Sequence, residues 1–142
     1  MVYITAVMAL CLTPALLSVA SAHKRLFYLW GVPYNIIPFQ GLSHEFFLNV
    51  IMTVPWGVYL FLINHRQRLA GVILFSFLFS LFIELNQFIL DLLVNLGRLA
   101  DVDDLITNTA GGLIGFLVMT LLFRTQVHRL IQYFSLSKDK VW

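Results

Sequence analysis

The sequence predicts an all-α membrane protein, a bundle of four transmembrane helices, and three observations predict it. Of the 142 residues, 60% are apolar and only 11% are charged, where a soluble domain carries roughly 45–50% and about 25%. Mean hydropathy is +0.87. The apolar residues gather into four stretches free of Lys and Arg, each near the roughly 20 residues that cross a bilayer. Such a composition excludes intrinsic disorder, and no stretch is left over for a separate catalytic domain in water. One cysteine, Cys11, excludes an internal disulfide and a cysteine-rich metal site. A net charge of +2, dispersed along the chain, is too small for a nucleic-acid surface.

The first stretch is Val2–Ala22. Its end, Ala20-Ser21-Ala22, has the small residues of a signal-peptide cleavage site. No Lys or Arg precedes the run, and it is longer than a usual signal core, so a retained span is expected. The alternative is a mature chain of three spans. Residues 23–45 form an aromatic segment with Phe27, Tyr28, Trp30, Tyr34 and Phe39, broken by Pro33 and Pro38. It is expected either at the interface, where Trp and Tyr settle, or re-entering the bilayer shielded by protein.

The second span, Phe46–Ile63, contains Pro55, which removes one intrahelical bond and invites a kink. Asn64–Arg68 is a tight polar turn, so the second and third spans are expected to form an antiparallel hairpin. The third span, Leu69–Leu90, holds the one acid found inside any span, Glu84. Residues 91–104 are an acidic connection to the fourth span, Leu105–Phe123. Residues 1–123 thus read as a single domain, and 124–142 as a basic tail with Arg124, Arg129, Lys138 and Lys140. With four spans, one side of the membrane carries Arg66, Arg68 and those four residues. The other carries Lys24, Arg25 and Arg98. The positive-inside rule then places both termini in the cytoplasm.

A helix returns to one face every three or four residues. Ser76, Ser80, Glu84, Gln87 and Asp91 follow that spacing on the third span. Glu45, Asn49, Thr53 and Gly57 follow it on the second, and Asp101, Asp104, Asn108, Gly111 and Gly115 on the fourth. Polar side chains facing lipid cost kilocalories each. The stripes are therefore expected to face one another, making a polar pocket in the outer half of the bundle. Glu84 has two readings: a functional acid, or a group that fixes helix packing by bonding Gln87 or Asn108.

Arg98, Asp101, Asp103 and Asp104 form a compact charged group. At least one of Asp103 and Asp104 is expected only to cap the fourth span, and Arg98 to pair with Asp101 one turn away. A second reading gives the carboxylates a hard cation and Arg98 a bidentate anion. The spacing is not that of a calcium loop. The Gly111-x-x-x-Gly115 pair lets another helix approach closely, from this chain or from a second copy in a homo-oligomer. His23, His44, His65 and His128 stand singly, so no zinc motif is present. G-x-S-x-G and P-loop motifs are absent as well.

The same residues carry a family resemblance. The chain resembles the VanZ-like family, named for a protein associated with teicoplanin resistance, from Asn35 to about Gly115. The matching pieces are Asn35-x-x-Pro38-Phe39, Asn49 with Pro55 and Gly57, Glu84-x-x-Gln87, Arg98-x-x-Asp101-x-Asp103-Asp104, and Asn108-Thr109-x-Gly111-x-x-x-Gly115. Thr53-Val54 stand where the family favours a large apolar residue before the second-span proline. The resemblance implies a four-span protein of the bacterial cell membrane with shared polar residues near the outer surface. In some members it implies a part in glycopeptide resistance.

Three functions are open. The first, which is adopted, is a non-enzymatic factor whose pocket takes a lipid-tailed or lipid-linked ligand. Its ligand-binding residues would be Asn35, Asn49, Glu84, Gln87, Arg98, Asp101, Asp104 and Asn108. The second is an enzyme on a lipid-linked envelope substrate, with Glu84 as general base. The third is a structural partner of another envelope protein. Metal and cofactor dependence stays open, and the one partner common to all three readings is the lipid bilayer.

Overall fold

A computed structural model of the chain describes residues 25–40, 44–94, 100–125 and 134. The order of elements is β1 (Phe27–Leu29), β2 (Val32–Asn35), α1 (His44–Ile63), α2 (Leu69–Val94), β3 (Ala100–Asp101) and α3 (Val102–Phe123). The expected first span, Arg98 with its expected pairing, and Arg129, Lys138 and Lys140 of the tail lie outside the described residues.

α1, α2 and α3 are each long and apolar enough to cross a membrane. They correspond to the second, third and fourth expected spans, with shifted ends. α1 continues through Pro55. α2 runs to Val94, because Leu92, Leu93 and Val94 extend the apolar run past Asp91. α3 starts at Val102, directly after the residue that caps it, Asp101.

The packing of the helices is set by small residues on α3. A Cβ on Gly111 would meet Thr53 Oγ1 and the Val50 carbonyl, and one on Gly115 the Val54 carbonyl. α1 and α3 therefore run parallel, in contact close enough to exclude a methyl group. Ser80 Oγ donates to the Leu105 carbonyl (3.2 Å), and Ser76 lies against Gly112, so α2 runs antiparallel to α3. The tight turn at 64–68 is present, but the two helices it joins pack mainly on α3 and little on each other. α1 and α2 thus run antiparallel on either side of that turn; the glycines draw α1 to α3, while α1 and α2 meet through the stacked rings of Trp56 and Phe79, 4.2 Å apart.

The expectation of an all-α chain is incomplete. The mostly helical chain carries a three-stranded sheet, β1-β2-β3, where α2 ends and α3 begins. β1 and β2 pair antiparallel from Phe27↔Tyr34 to Leu29↔Val32, and β2 pairs parallel with β3 at Tyr34↔Ala100 and Asn35↔Asp101. Pro33 is tolerated because β3 reaches only Tyr34 and Asn35, so the missing N–H falls outside that ladder. Within the aromatic segment, the Phe27–Leu29 and Val32–Asn35 strands are thus joined to a strand far along the chain.

At the turn end the helices bury an apolar cluster of Leu60, Phe61, Val72 and Phe116. Toward the sheet end the buried residues of α2 are Ser76, Ser80, Ile83, Glu84, Gln87 and Asp91. Its apolar residues Leu74, Phe75, Leu78, Phe82, Leu85 and Ile89 face outward. An apolar exterior around a polar interior is the arrangement lipid demands.

Candidate functional site

The polar stripes of the three helices turn inward, with one correction: Glu45, in the first turn of α1, is exposed and does not join the buried face. On α3 the buried face holds Asp103, Thr107, Asn108, Gly111, Gly112 and Gly115. On α1 it holds Thr53 and Gly57, with Asn49 half-buried one turn earlier. Glu84 and Gln87 are buried on α2. The hydroxyls of Thr53, Thr107 and Thr109 each bond a carbonyl one turn back in their own helix, so their polar atoms are satisfied locally. Asn108 differs: its side chain is 2% exposed, and its Oδ1 accepts no hydrogen bond among the described residues. Ser76 Oγ likewise has no hydrogen-bond partner among the described residues, and Trp56 Nε1–H has no acceptor among them. An unmet buried polar atom costs about 1–3 kcal/mol, so the interior of the bundle retains hydrogen-bonding capacity at these points.

The rim of this seam is a latch between two distant segments. Asn35 Oδ1 accepts from the Ile37 N–H (3.0 Å), and its Nδ2 donates to the Ile37 carbonyl and to Asp101 Oδ1, each at 3.0 Å. Asp101 Oδ1 also accepts from the Asp103 N–H (3.0 Å), which makes Asp101 the N-cap of α3. Asp103 Oδ1 in turn accepts from the Phe39 N–H (2.8 Å). Phe39 has φ 61° and follows Pro38, the pattern of a type II turn. The bond to Asp103 holds that turn on the bundle.

One expectation changes here. The cap of α3 is Asp101 rather than Asp103 or Asp104, because the helix begins three residues earlier than Leu105; Asp103 and Asp104 fall in its first turn. Among the described residues, no group of three or more His, Cys, Asp or Glu side chains is placed to hold a metal ion. Asp101 and Asp103 each give an oxygen to the latch.

Of the residues expected to bind a ligand, Asn35 and Asp101 are in direct contact. Glu84, Gln87 and Asn108 lie on the buried faces of α2 and α3, while Asn49 and Asp104 are half-buried on α1 and α3. Arg98 lies outside the described residues. Asp103, expected only as a cap or a cation carboxylate and not among the ligand-binding residues, is 3% exposed and joins the two segments. No spacing within either segment signals that link; only the joint presence of Asn35-x-x-Pro38-Phe39 and Asp101-x-Asp103 could have.

A family model described as VanZ/LLP1 matches residues 1–124, and the chain belongs to that family. No curated protein and no solved structure matches the chain.

Proposed function

We propose that this member of the VanZ/LLP1 family is a non-enzymatic factor of the bacterial cell membrane. It would hold the head of an amphiphilic or lipid-linked ligand at the polar end of its bundle, on the side away from the cytosol. What supports this is the buried polar face that α2 and α3 share near the sheet: Glu84, Gln87 and Asn108, with hydrogen-bonding capacity left at Asn108 Oδ1. Helix packing alone is served by the glycine contacts between α1 and α3, which need no acid.

In this reading Glu84, Gln87, Asn49, Asn108 and Asp104 contact the ligand, and Arg98 supplies a fork for an anionic group. Asn35 and Asp101 shape the rim. The tail of the ligand would lie along the apolar outer faces of the helices. A lipid-tailed glycopeptide such as teicoplanin and a lipid-linked cell-wall precursor both have the required form, and both termini of the chain would be cytoplasmic.

The test is binding of teicoplanin and of a lipid-linked peptidoglycan precursor to the protein in phospholipid vesicles. Glu84→Gln keeps shape and removes charge. Wild-type protein is expected to bind one of the two, and the variant to bind it at least about tenfold more weakly, as loss of a charge-assisted hydrogen bond implies. Equal binding by the variant, or binding of neither ligand by wild-type protein, overturns the proposal.

A further inference from the structure

The hairpin of β1 and β2 presents a surface that the polar seam does not use. Phe27, Tyr28 and Leu29 are exposed, and Trp30 at the tip is 80% exposed. Both residues of the two-residue loop have positive φ, Trp30 at 52° and Gly31 at 87°, the pattern of a type I′ turn. Asn, Asp or Gly fits the first of these positions at least cost, and a tryptophan there is strained. The other left-handed residue that is not glycine, Phe39, is held by its bond to Asp103. Trp30 has no such compensation: among the described residues its indole makes no ring contact or hydrogen bond. Nothing among the described residues accounts for a tryptophan at this position, which points to a partner beyond them.

The register of the helices says which partner. Ser80 faces Leu105. From there α2 continues to Val94, while α3 reaches back only to Val102. At about 1.5 Å per residue, α2 overshoots α3 by roughly 16 Å. The overshooting turns stay apolar and outward-facing, with Ile89, Leu92, Leu93 and Val94 exposed. The apolar outer surface of α2 therefore extends beyond the start of α3 to the level where the sheet packs on α2. Tyr28, Trp30, Ile36 and Phe39, in and beside the sheet, are exposed as well, and Arg25, exposed beside β1, adds the charge that a phosphate layer favours.

We infer that the Phe27–Val32 hairpin is a membrane-interface anchor, with Trp30 seated at the boundary between phospholipid headgroups and acyl chains beside the end of α2. Indole rings settle at that depth because they are apolar with one polar N–H. The inference does not depend on the proposed ligand.

The experiment reads tryptophan fluorescence of the full chain in phosphatidylcholine vesicles. Trp30 is isolated as the difference between wild-type protein and Trp30→Asn, a change that the backbone favours, so the variant folds. Brominated acyl chains are expected to lower the Trp30 component at least about twofold, as for a ring at the interface, with aqueous iodide leaving it nearly unchanged. Quenching by iodide and not by bromolipid would place Trp30 in water and overturn the inference. Protection from both quenchers would also overturn it, by placing Trp30 against protein, such as a second copy of the chain.

Discussion

The two ends of the bundle are built on opposite terms. At the turn end the helices bury Leu60, Phe61, Val72 and Phe116. At the sheet end they bury Glu84, Gln87, Asp91, Asp101, Asp103 and Asn108. In water the first cluster would dominate stability. In lipid it gains little, because acyl chains are as apolar as a phenylalanine neighbour, and only packing separates the two environments. The second cluster gains more, since each of its members would otherwise face hydrocarbon at a cost of kilocalories. The polar end is where sequence and assembly are most tightly coupled.

The largest effect that tests this contrast is expected at Asp101. Asp101→Ala removes the N-cap of α3, leaves the Asp103 N–H without its acceptor, and takes the partner from one Asn35 donor. Caps and buried donors of this kind are worth about 1–2 kcal/mol each, so a loss of about 3 kcal/mol is expected. Denaturation of the protein in bicelles measures it. Faster proteolysis between residues 25 and 40 should accompany the loss, because the latch to Phe39 is disturbed. A variant as stable as wild type would break the comparison at its polar end.

A smaller effect is expected at the other end. Phe61 is 1% exposed and packs edge-on against Phe116 and Phe123, each at 5.5 Å. Phe61→Leu keeps an apolar side chain of similar bulk. The expected cost is about 1 kcal/mol or less, because packing is reduced while no hydrophobic transfer term is at stake. The same denaturation measurement checks it. A cost larger than that of Asp101→Ala would reverse the ranking of the two ends.

Much of this was legible in the sequence. Steps of three and four residues identify the stripe Ser76-Ser80-Glu84-Gln87-Asp91, and that stripe is the buried face of α2. Gly111 and Gly115 announce a close helix contact, which is made with α1 of the same chain. The sheet was not legible. Its strands are two to four residues long, two of them surround a tight turn, and the third lies 66 positions away at the Asn35–Asp101 bond. Periodicity reports local repeats, and no local repeat encodes such a pairing. The role of Asp101 was hidden for the same reason. A stripe spacing that assigns it to a helix face cannot reveal that the helix begins just after it, or that Asn35 holds its carboxylate.

The inward turn of the polar stripes is tested most directly by labelling from the lipid. Phospholipids carrying a diazirine in the acyl chain, photolysed with the unaltered protein in vesicles, mark the residues that touch lipid, and carboxylates react readily with the products. Label is expected on Phe82, Leu85 and Ile89, which are exposed, and not on Glu84 or Gln87, which are buried between them. Label concentrated on Glu84 would mean that this acid faces the acyl chains, and would contradict a polar interior wrapped in an apolar surface.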